Sequence, residues 1–193
     1  MSKASAPVVS AWNIPNALTV LRIVLVPLFV AVLLVDDGAS TSMRLWATLI
    51  FILAMFTDWL DGDLARKQGL VTNFGKIADP IADKALIGAA LICLSLIGEL
   101  AWWVTVVIMV REIGVTVLRF VVIRRGVIPA GRGGKLKTTL QSIGLTLLIL
   151  PLEGFLHATG LVVMYAALIV TVVTGADYMM QAWRVWQGSD VAT

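Results

Sequence analysis

Residues 58 to 83 read DWLDGDLARKQGLVTNFGKIADPIAD, and this stretch decides how the chain can fold. Its paired aspartates are Asp58 with Asp61, three residues apart, and Asp79 with Asp83, four residues apart. Residues at these spacings share one face of an α-helix, so each pair is predicted to project from one side of its own helix. The connection between the two helices is short. We therefore expect them to pack antiparallel with their acidic faces toward each other.

The sequence on both sides of this stretch is typical of a membrane protein. Hydrophobic residues make up 59% of the 193 residues, charged residues only 14%, and the mean hydropathy is +0.94. Soluble domains carry about 25% charged residues, and a segment inside a bilayer must be helical because no water is present to bond its backbone. The candidate spans are the apolar runs 17–35, 45–61, 77–97, 101–123, 140–155 and 161–183. We predict one all-α integral membrane domain, 1–193, with six transmembrane helices.

The basic residues predict the orientation of these spans. The breaks after the first, third and fifth runs contain Arg44 but no other Lys or Arg. The opposite side takes Lys3, Arg66, Lys67, Lys76, Arg124, Arg125, Arg132, Lys135, Lys137 and Arg184. Because positive residues are retained on the inner side, both termini are predicted to be cytoplasmic. Residues 13–16 are typical of a helix start, and Trp12 with its apolar neighbours is expected to form a short interfacial segment.

The aspartates are the strongest candidates for chemistry. An ionisable residue within a span indicates a functional site by default. Several neighbouring carboxylates remain ionised when divalent cations bind them, and oxygen ligands suit Mg²⁺, Mn²⁺ or Ca²⁺. Two other interpretations fit the carboxylates alone. They could line the ion or proton path of a transporter, or form a structural ion-pair network with Arg66, Lys76 and Lys84.

The spacing of the motif is more specific than its composition. The pattern Asp-x2-Asp-Gly-x2-Ala-Arg-x8-Gly-x3-Asp-x3-Asp has a chance frequency on the order of 10⁻¹⁰ per starting position. It resembles the signature of the CDP-alcohol phosphotransferase family, with every fixed position present. Supporting stretches are residues 13–19 with Arg22, Arg111-Glu112 with Arg119, and residues 134–139 with Gln141.

The resemblance implies an enzyme that transfers a phosphatidyl group from CDP-diacylglycerol to an alcohol. It implies six spans and a homodimer. From this reaction we expect the protein in the cell (inner) membrane, with its active site on the cytoplasmic side that the basic residues indicate. Two Mg²⁺ ions, or Mn²⁺, would be held by Asp58, Asp61, Asp79 and Asp83. Asp83 would also be the catalytic base, whereas Asp63 falls at a variable position and receives no role. The residues expected to contact the CDP moiety are Gly62, Arg66, Thr72, Asn16 and Thr19.

A second set of charges points to the acceptor. Buried charges are costly in a membrane, so those in the fourth run are expected to face the bundle interior, where Glu112 and Arg119 share a helix face. The cations predicted to bind a dianionic acceptor are Arg111, Arg119, Lys135 and Lys137. Glycerol 3-phosphate is the expected acceptor, with inositol phosphate and phosphatidylglycerol as alternatives, and no nucleic-acid partner is expected. Arg124, Arg125 and Arg132 are interpreted as an ordinary cytoplasmic loop.

The remaining polar positions carry weaker predictions. Pro80 is tolerated only in a first helical turn, which predicts that the third helix begins shortly before Asp79. His157 lies on the outer side and is expected to have no catalytic role, and Asp177 is expected to be structural. Cys93 is the single cysteine, so no intrachain disulfide can form.

Overall fold

The structure, a computed structural model, describes residues 14–68, 73–122 and 132–186. Every long element within these ranges is an α-helix, and each predicted apolar run is met by a helix. The helices are α1 (Ile14–Leu33), α2 (Thr41–Gln68), α3 (Asn73–Leu96), α4 (Trp102–Val122), α5 (Arg132–Ile149) and α6 (Gly154–Trp186). The all-α prediction is confirmed. The predicted interfacial segment around Trp12 lies outside the described residues.

Three of the described helices are long and apolar enough to cross a membrane on length and composition alone. The qualifying segments are Asn16–Leu33 in α1, Thr41–Asp58 in α2 and Gly154–Trp186, the whole of α6. These segments contain at most two charged residues each, whereas the other three helices contain three or four; α4, for example, includes Arg111, Glu112 and Arg119. These segments support the predicted membrane class, while the number of spans and their orientation stay predictions.

The predicted run 140–155 is wrong at both ends. The helix α5 already begins at Arg132 and stops at Ile149, and α6 begins at Gly154. Apolarity does not reveal the early start, because the first turns of α5 are basic and polar. The stop has a steric cause: Pro151 disfavours helical geometry in the residue before it.

The expected start of the third helix is also wrong. Because α3 begins at Asn73, Pro80 lies about two turns inside it. Proline removes one backbone donor from a helix, but membrane helices tolerate this loss when neighbouring groups satisfy the backbone. Consequently Asp79 and Asp83 belong to one continuous helix, and the buried Gly75 lies in its first turn.

The chain divides into two compact units, with the division inside α3 between Ala89 and Ala90. In the first unit, α1 packs on α2 through the rings of Phe29 and Phe51, whose centroids are 5.7 Å apart. A 3₁₀ turn, Val35–Gly38, connects the two helices. Its aspartates and glycine have positive φ angles, a conformation that Asp and Gly adopt more readily than other residues.

The second unit contains α4, α5, α6 and the end of α3. Close packing of α5 on α6 depends on Gly144, where an added Cβ would lie 3.2 Å from the backbone nitrogen of Met164. Small residues allow such approach between membrane helices. The hydroxyls of Ser95 and Thr105 form a buried hydrogen bond of 2.7 Å that links the end of α3 to α4.

Candidate active site

The buried face of α1 is polar over its first turns. Asn16, Thr19 and Arg22 follow one another at intervals of three residues and are only 5%, 1% and 0% exposed. The same face continues with apolar residues, among them Phe29 and Leu33. Residues at this spacing point to one side of a helix. The first half of α1 therefore presents hydrogen-bonding groups, rather than a hydrophobic surface, to the interior of the first unit.

The first motif aspartate meets this polar face. The Nη1 of Arg22 donates a hydrogen bond of 2.5 Å to Oδ1 of Asp58 on α2. The arginine side chain is fully buried, while the aspartate side chain is 39% exposed. The pair is thus buried on the arginine side and accessible on the carboxylate side.

The third motif aspartate meets the same face one turn away. The hydroxyl of Thr19 donates a hydrogen bond of 2.6 Å to Oδ1 of Asp79 on α3. Thr19 and Arg22 are one turn apart on the same face of α1, so both carboxylates contact this face. One face of α1 thus contacts a carboxylate from each of the two acidic helices, while the direct packing of these helices on each other stays a prediction.

Helix geometry gives the positions of the other two motif aspartates relative to Asp58 and Asp79. Asp83 is one turn beyond Asp79 on α3 and is half-buried. Asp61 is one turn beyond Asp58 on α2, but its side chain lies outside the described part of the chain. Among the side chains that are described, no group of three or more His, Cys, Asp or Glu residues is arranged to hold a metal ion. The carboxylate oxygens of the motif nevertheless have the chemistry that Mg²⁺ and Mn²⁺ prefer.

The predicted CDP contacts lie on two helices and one connection. Asn16 and Thr19 occupy the polar face of α1. Gly62 and Arg66 are four residues apart in the last turns of α2, although their side chains are not described. Thr72, in the connection between α2 and α3, falls outside the described residues.

In the second unit, two of the four predicted acceptor cations come together. Oε1 of Glu112 accepts hydrogen bonds from Nη1 of Arg111 at 3.0 Å and from Nζ of Lys137 at 2.6 Å. All three side chains are largely buried, with exposures of 16%, 16% and 11% for Glu112, Arg111 and Lys137. Two cations that share one carboxylate give this cluster a net positive charge. The cluster therefore retains some attraction for an anion.

Arg111 also ties α4 to α6. Its Nε donates to the backbone carbonyl of Thr171 at 3.0 Å, and its Nη2 donates to the hydroxyl of Thr174 at 2.9 Å. The side chain runs over Gly175, where an added Cβ would lie 3.0 Å from Cγ and 3.1 Å from Nε of Arg111. With Nη1 on Glu112, every guanidinium nitrogen of Arg111 makes a hydrogen bond. Arg111 thus has a structural role, whether or not it also binds the acceptor.

This contact gives a stability prediction. We expect Gly175→Ala to lower the free energy of unfolding by about 1–3 kcal/mol relative to Gly114→Ala, because the new methyl group overpacks against Arg111. Gly114 on α4 has no atom within 4 Å of an added Cβ. Both substitutions gain the same helix propensity, so the difference isolates the clash. Thermal unfolding of the two variants in detergent measures it, and equal stabilities would contradict it.

The other two acceptor cations lie apart from this cluster. The guanidinium of Arg119 is 5.8 Å from the ring centroid of Tyr178, a cation–π geometry, rather than on Glu112. Lys135 is exposed on α5, two residues before the buried Lys137 and so on a different side of the helix. Their predicted role in binding the acceptor stays a prediction.

Two residues with weaker predictions have structural partners. Nδ1 of His157 lies 3.2 Å from Oε2 of Glu99, a pair between the start of α6 and the turn after α3. Asp177 is exposed and accepts a hydrogen bond of 2.8 Å from Gln181 on its own helix. These contacts describe the surroundings of the two residues, and the roles expected for them stay predictions.

Two features of the site are not singled out by the sequence patterns. Arg22 is among the residues that support the family resemblance, but the sequence patterns do not predict its ion pair with Asp58. A charged residue within an apolar run was the available signal. Gly175 and its neighbour Thr174 on α6 have no such signal, because they carry no charge and glycine is frequent in membrane helices. Only their contact with Arg111 reveals their role.

Comparison with known proteins shows which protein family has this arrangement of residues along the chain. A family model described as CDP-alcohol phosphatidyltransferase matches residues 12–173. A protein of Mycobacterium tuberculosis named "Probable phosphatidylglycerophosphate synthase" is 55% identical over 172 residues, covering 89% of this chain and 82% of that protein.

More distant relatives match over comparable lengths. A Bacillus subtilis protein named "CDP-diacylglycerol--glycerol-3-phosphate 3-phosphatidyltransferase" is 38% identical, covering 93% of this chain and 100% of its own. A Haemophilus influenzae protein of the same name is 36% identical, covering 89% of this chain and 94% of its own. The match to the family model includes α1, the complete aspartate motif and the Arg111 cluster. The resemblance inferred from the motif is confirmed, and the chain belongs to the CDP-alcohol phosphatidyltransferase family.

Proposed function

We propose that this enzyme transfers the phosphatidyl group of CDP-diacylglycerol to glycerol 3-phosphate, producing phosphatidylglycerophosphate and CMP. The observation that carries the proposal is the meeting of Asp58 and Asp79 with the polar face of α1, inside a complete family motif. The names of the relatives support the same donor and acceptor. A membrane site suits this donor, since its acyl chains remain in lipid throughout the reaction.

The metal site is proposed to consist of Asp58, Asp61, Asp79 and Asp83. These residues would hold two Mg²⁺ ions, with Mn²⁺ as a substitute. Divalent cations held there would neutralise the pyrophosphate oxygens of the donor and the charge that develops on the leaving phosphate. The contribution of the protein is a set of ionised oxygen ligands on α2 and α3, two of which are held through their Oδ1 atoms by α1.

Asp83 is proposed to be the general base. It would accept the proton from the acceptor hydroxyl as that oxygen bonds to the phosphorus next to the diacylglycerol. The bond between this phosphorus and the bridging oxygen of CMP breaks, and CMP leaves with the bonding electrons. Because an alcohol is a weak nucleophile at neutral pH, a positioned carboxylate accelerates this step.

The CDP moiety is proposed to lie against Gly62, Arg66, Thr72, Asn16 and Thr19. Glycine at position 62 permits close approach of a ligand to the backbone, and a guanidinium such as that of Arg66 suits a phosphate. Thr19 already donates its proton to Asp79. A hydroxyl group can both donate and accept hydrogen bonds, which suits this residue to a substrate contact.

The acceptor phosphate is proposed to bind cations from α4 and α5. Arg111 and Lys137 form the cluster with Glu112, and Lys135 and Arg119 would add positive charge from exposed positions. A dianionic phosphate is the chemistry that such a set of donors favours. A neutral alcohol would not require it.

The membrane arrangement is proposed to comprise six transmembrane helices, with both termini and the active site on the cytoplasmic side of the cell (inner) membrane. The asymmetry of the basic residues supports this orientation. The functional unit is proposed to be a homodimer, as the family resemblance implies.

The acceptor proposal has a direct test. Purified full-length protein is incubated with CDP-diacylglycerol and Mg²⁺ plus glycerol 3-phosphate, inositol phosphate or phosphatidylglycerol, and CMP release is measured. We expect glycerol 3-phosphate to give the highest rate, and EDTA to abolish it until Mg²⁺ is restored. CMP release with inositol phosphate, but with neither of the other two acceptors, would replace glycerol 3-phosphate by inositol phosphate as the proposed acceptor. The absence of CMP release with every acceptor would overturn the proposed reaction and leave a cation transporter as the interpretation to examine.

A further inference from the structure

Arg22 is a fully buried cation in a helix that is otherwise apolar enough to cross a membrane. Its side chain is 0% exposed, and the segment around it, Asn16–Leu33, is one of the candidate spans. Ionisable groups in such helices are costly to bury and are retained where they serve a site. The role proposed for the aspartate motif gives this arginine no task of its own.

The geometry of the contact between Arg22 and Asp58 suggests a role for this arginine. Nη1 of Arg22 holds Oδ1 of the carboxylate at 2.5 Å, a short charge-assisted hydrogen bond. A carboxylate has about four lone-pair positions over two oxygens, and this bond uses one of them. The carboxylate of Asp58 is 39% exposed, so the buried arginine contacts it without enclosing it.

Thr19 repeats the arrangement one turn earlier on α1. Its hydroxyl holds Oδ1 of Asp79 at 2.6 Å, and the threonine is also almost completely buried. One face of α1 therefore fixes a carboxylate from α2 and a carboxylate from α3. Groups that hydrogen-bond to metal ligands orient them, and losing such a group typically weakens metal binding about 10- to 100-fold.

We propose that Arg22 is a positioning residue of the metal site, which fixes the carboxylate of Asp58 for divalent-cation binding, with Thr19 doing the same for Asp79. This inference rests on the proposed function, because it takes the aspartates to be metal ligands. Arg22 does not contact the reacting atoms. It acts through the orientation of a ligand, in spite of the repulsion between its own charge and the cation.

The test measures metal binding rather than turnover. Wild type, Arg22→Gln and Arg22→Lys are purified in detergent, and Mn²⁺ is titrated in the absence of both substrates while free Mn²⁺ is followed by electron paramagnetic resonance. We expect Arg22→Gln to raise the dissociation constant about 10-fold or more. Arg22→Lys keeps the charge without the planar fork of arginine. Its dissociation constant for Mn²⁺ is expected to lie between those of the wild type and Arg22→Gln.

Steady-state kinetics provides a second readout. In Arg22→Gln, the Mn²⁺ concentration for half-maximal CMP release is expected to rise by a similar factor, with a much smaller change in the KM for CDP-diacylglycerol at saturating metal. A variant pair at the neighbouring position avoids altering the buried charge: Thr19→Val is expected to weaken Mn²⁺ binding, and Thr19→Ser to restore it. Thr48→Val is the matched control, because this threonine is also buried and its described hydrogen bond stays within α2, where its hydroxyl donates to the carbonyl of Arg44.

The outcomes separate this inference from the proposed function. A wild-type protein that binds Mn²⁺ and releases CMP, with unchanged or tighter Mn²⁺ binding in Arg22→Gln and Thr19→Val, overturns the positioning role alone. Tighter binding would mean that the charge of Arg22 opposes the cation more than its hydrogen bond helps. A wild-type protein that neither binds Mn²⁺ nor releases CMP overturns the proposed function and this inference together.

Discussion

Asp83→Asn is expected to lower CMP release by about 10²- to 10⁴-fold, the range in which a positioned general base contributes to catalysis. An amide cannot accept the proton of the acceptor hydroxyl, so the attacking oxygen stays a weak nucleophile. Binding of CDP-diacylglycerol is expected to survive largely, since the other three aspartates of the motif remain. The measurement is CMP release at saturating substrates, together with equilibrium binding of the donor to the detergent-solubilised variant.

Asp177→Asn is the control for this substitution. Asp177 is an exposed carboxylate on α6, and its described hydrogen bond is to Gln181 on the same helix. We expect its rate to match that of the wild type. Near-normal turnover in Asp83→Asn would remove Asp83 as the base, whereas a parallel loss of donor binding would assign it to metal or substrate binding.

Asp58→Asn is expected to abolish activity and also to destabilise the protein more than Asp83→Asn does. The first effect follows from the loss of a proposed metal ligand. The second follows from Arg22, whose fully buried guanidinium loses the negative charge that faces it. Removing one partner of a buried ion pair costs about 3–5 kcal/mol, and a lower value of about 2 kcal/mol is appropriate here because Asp58 is partly exposed.

Thermal unfolding in detergent with EDTA measures this second effect without bound metal. A loss of about 2 kcal/mol corresponds to a melting temperature about 4–8 °C lower for a chain of this size. Asp83→Asn serves as the comparison, because it removes the same charge one turn beyond Asp79. Equal melting temperatures for the two variants would show that the pair with Arg22 contributes little to the fold.

The helical architecture is predictable from the sequence because its causes are local. A run of apolar residues in a bilayer must form a helix, and the spacing of the aspartates places each pair on one face. The helix ends are less predictable. The start of α5 at Arg132 and the passage of α3 through Pro80 depend on hydrogen bonds and packing that hydrophobicity does not encode.

The candidate site is likewise predictable from the sequence only in part. The motif identifies the aspartates, and their positions on α2 and α3 follow from helix periodicity. The contacts of the predicted acceptor cations are harder to predict from the sequence. Arg111 donates hydrogen bonds to Thr171 and Thr174, which lie about 60 residues later in the chain. No regularity within α4 indicates which side chains of α6 lie beside it.

The sequence by itself determined that this is a helical, membrane-type protein with paired carboxylates on two helices, because residue spacing and apolarity act along the chain. The enzyme class followed from the resemblance of its motif to a known family. Only the tertiary structure decided that α1 supplies the hydrogen bonds to Asp58 and Asp79, and that Gly175 leaves room for Arg111. The physical reason is that a buried polar group requires a partner, but that partner can come from any helix that packing brings within hydrogen-bonding distance.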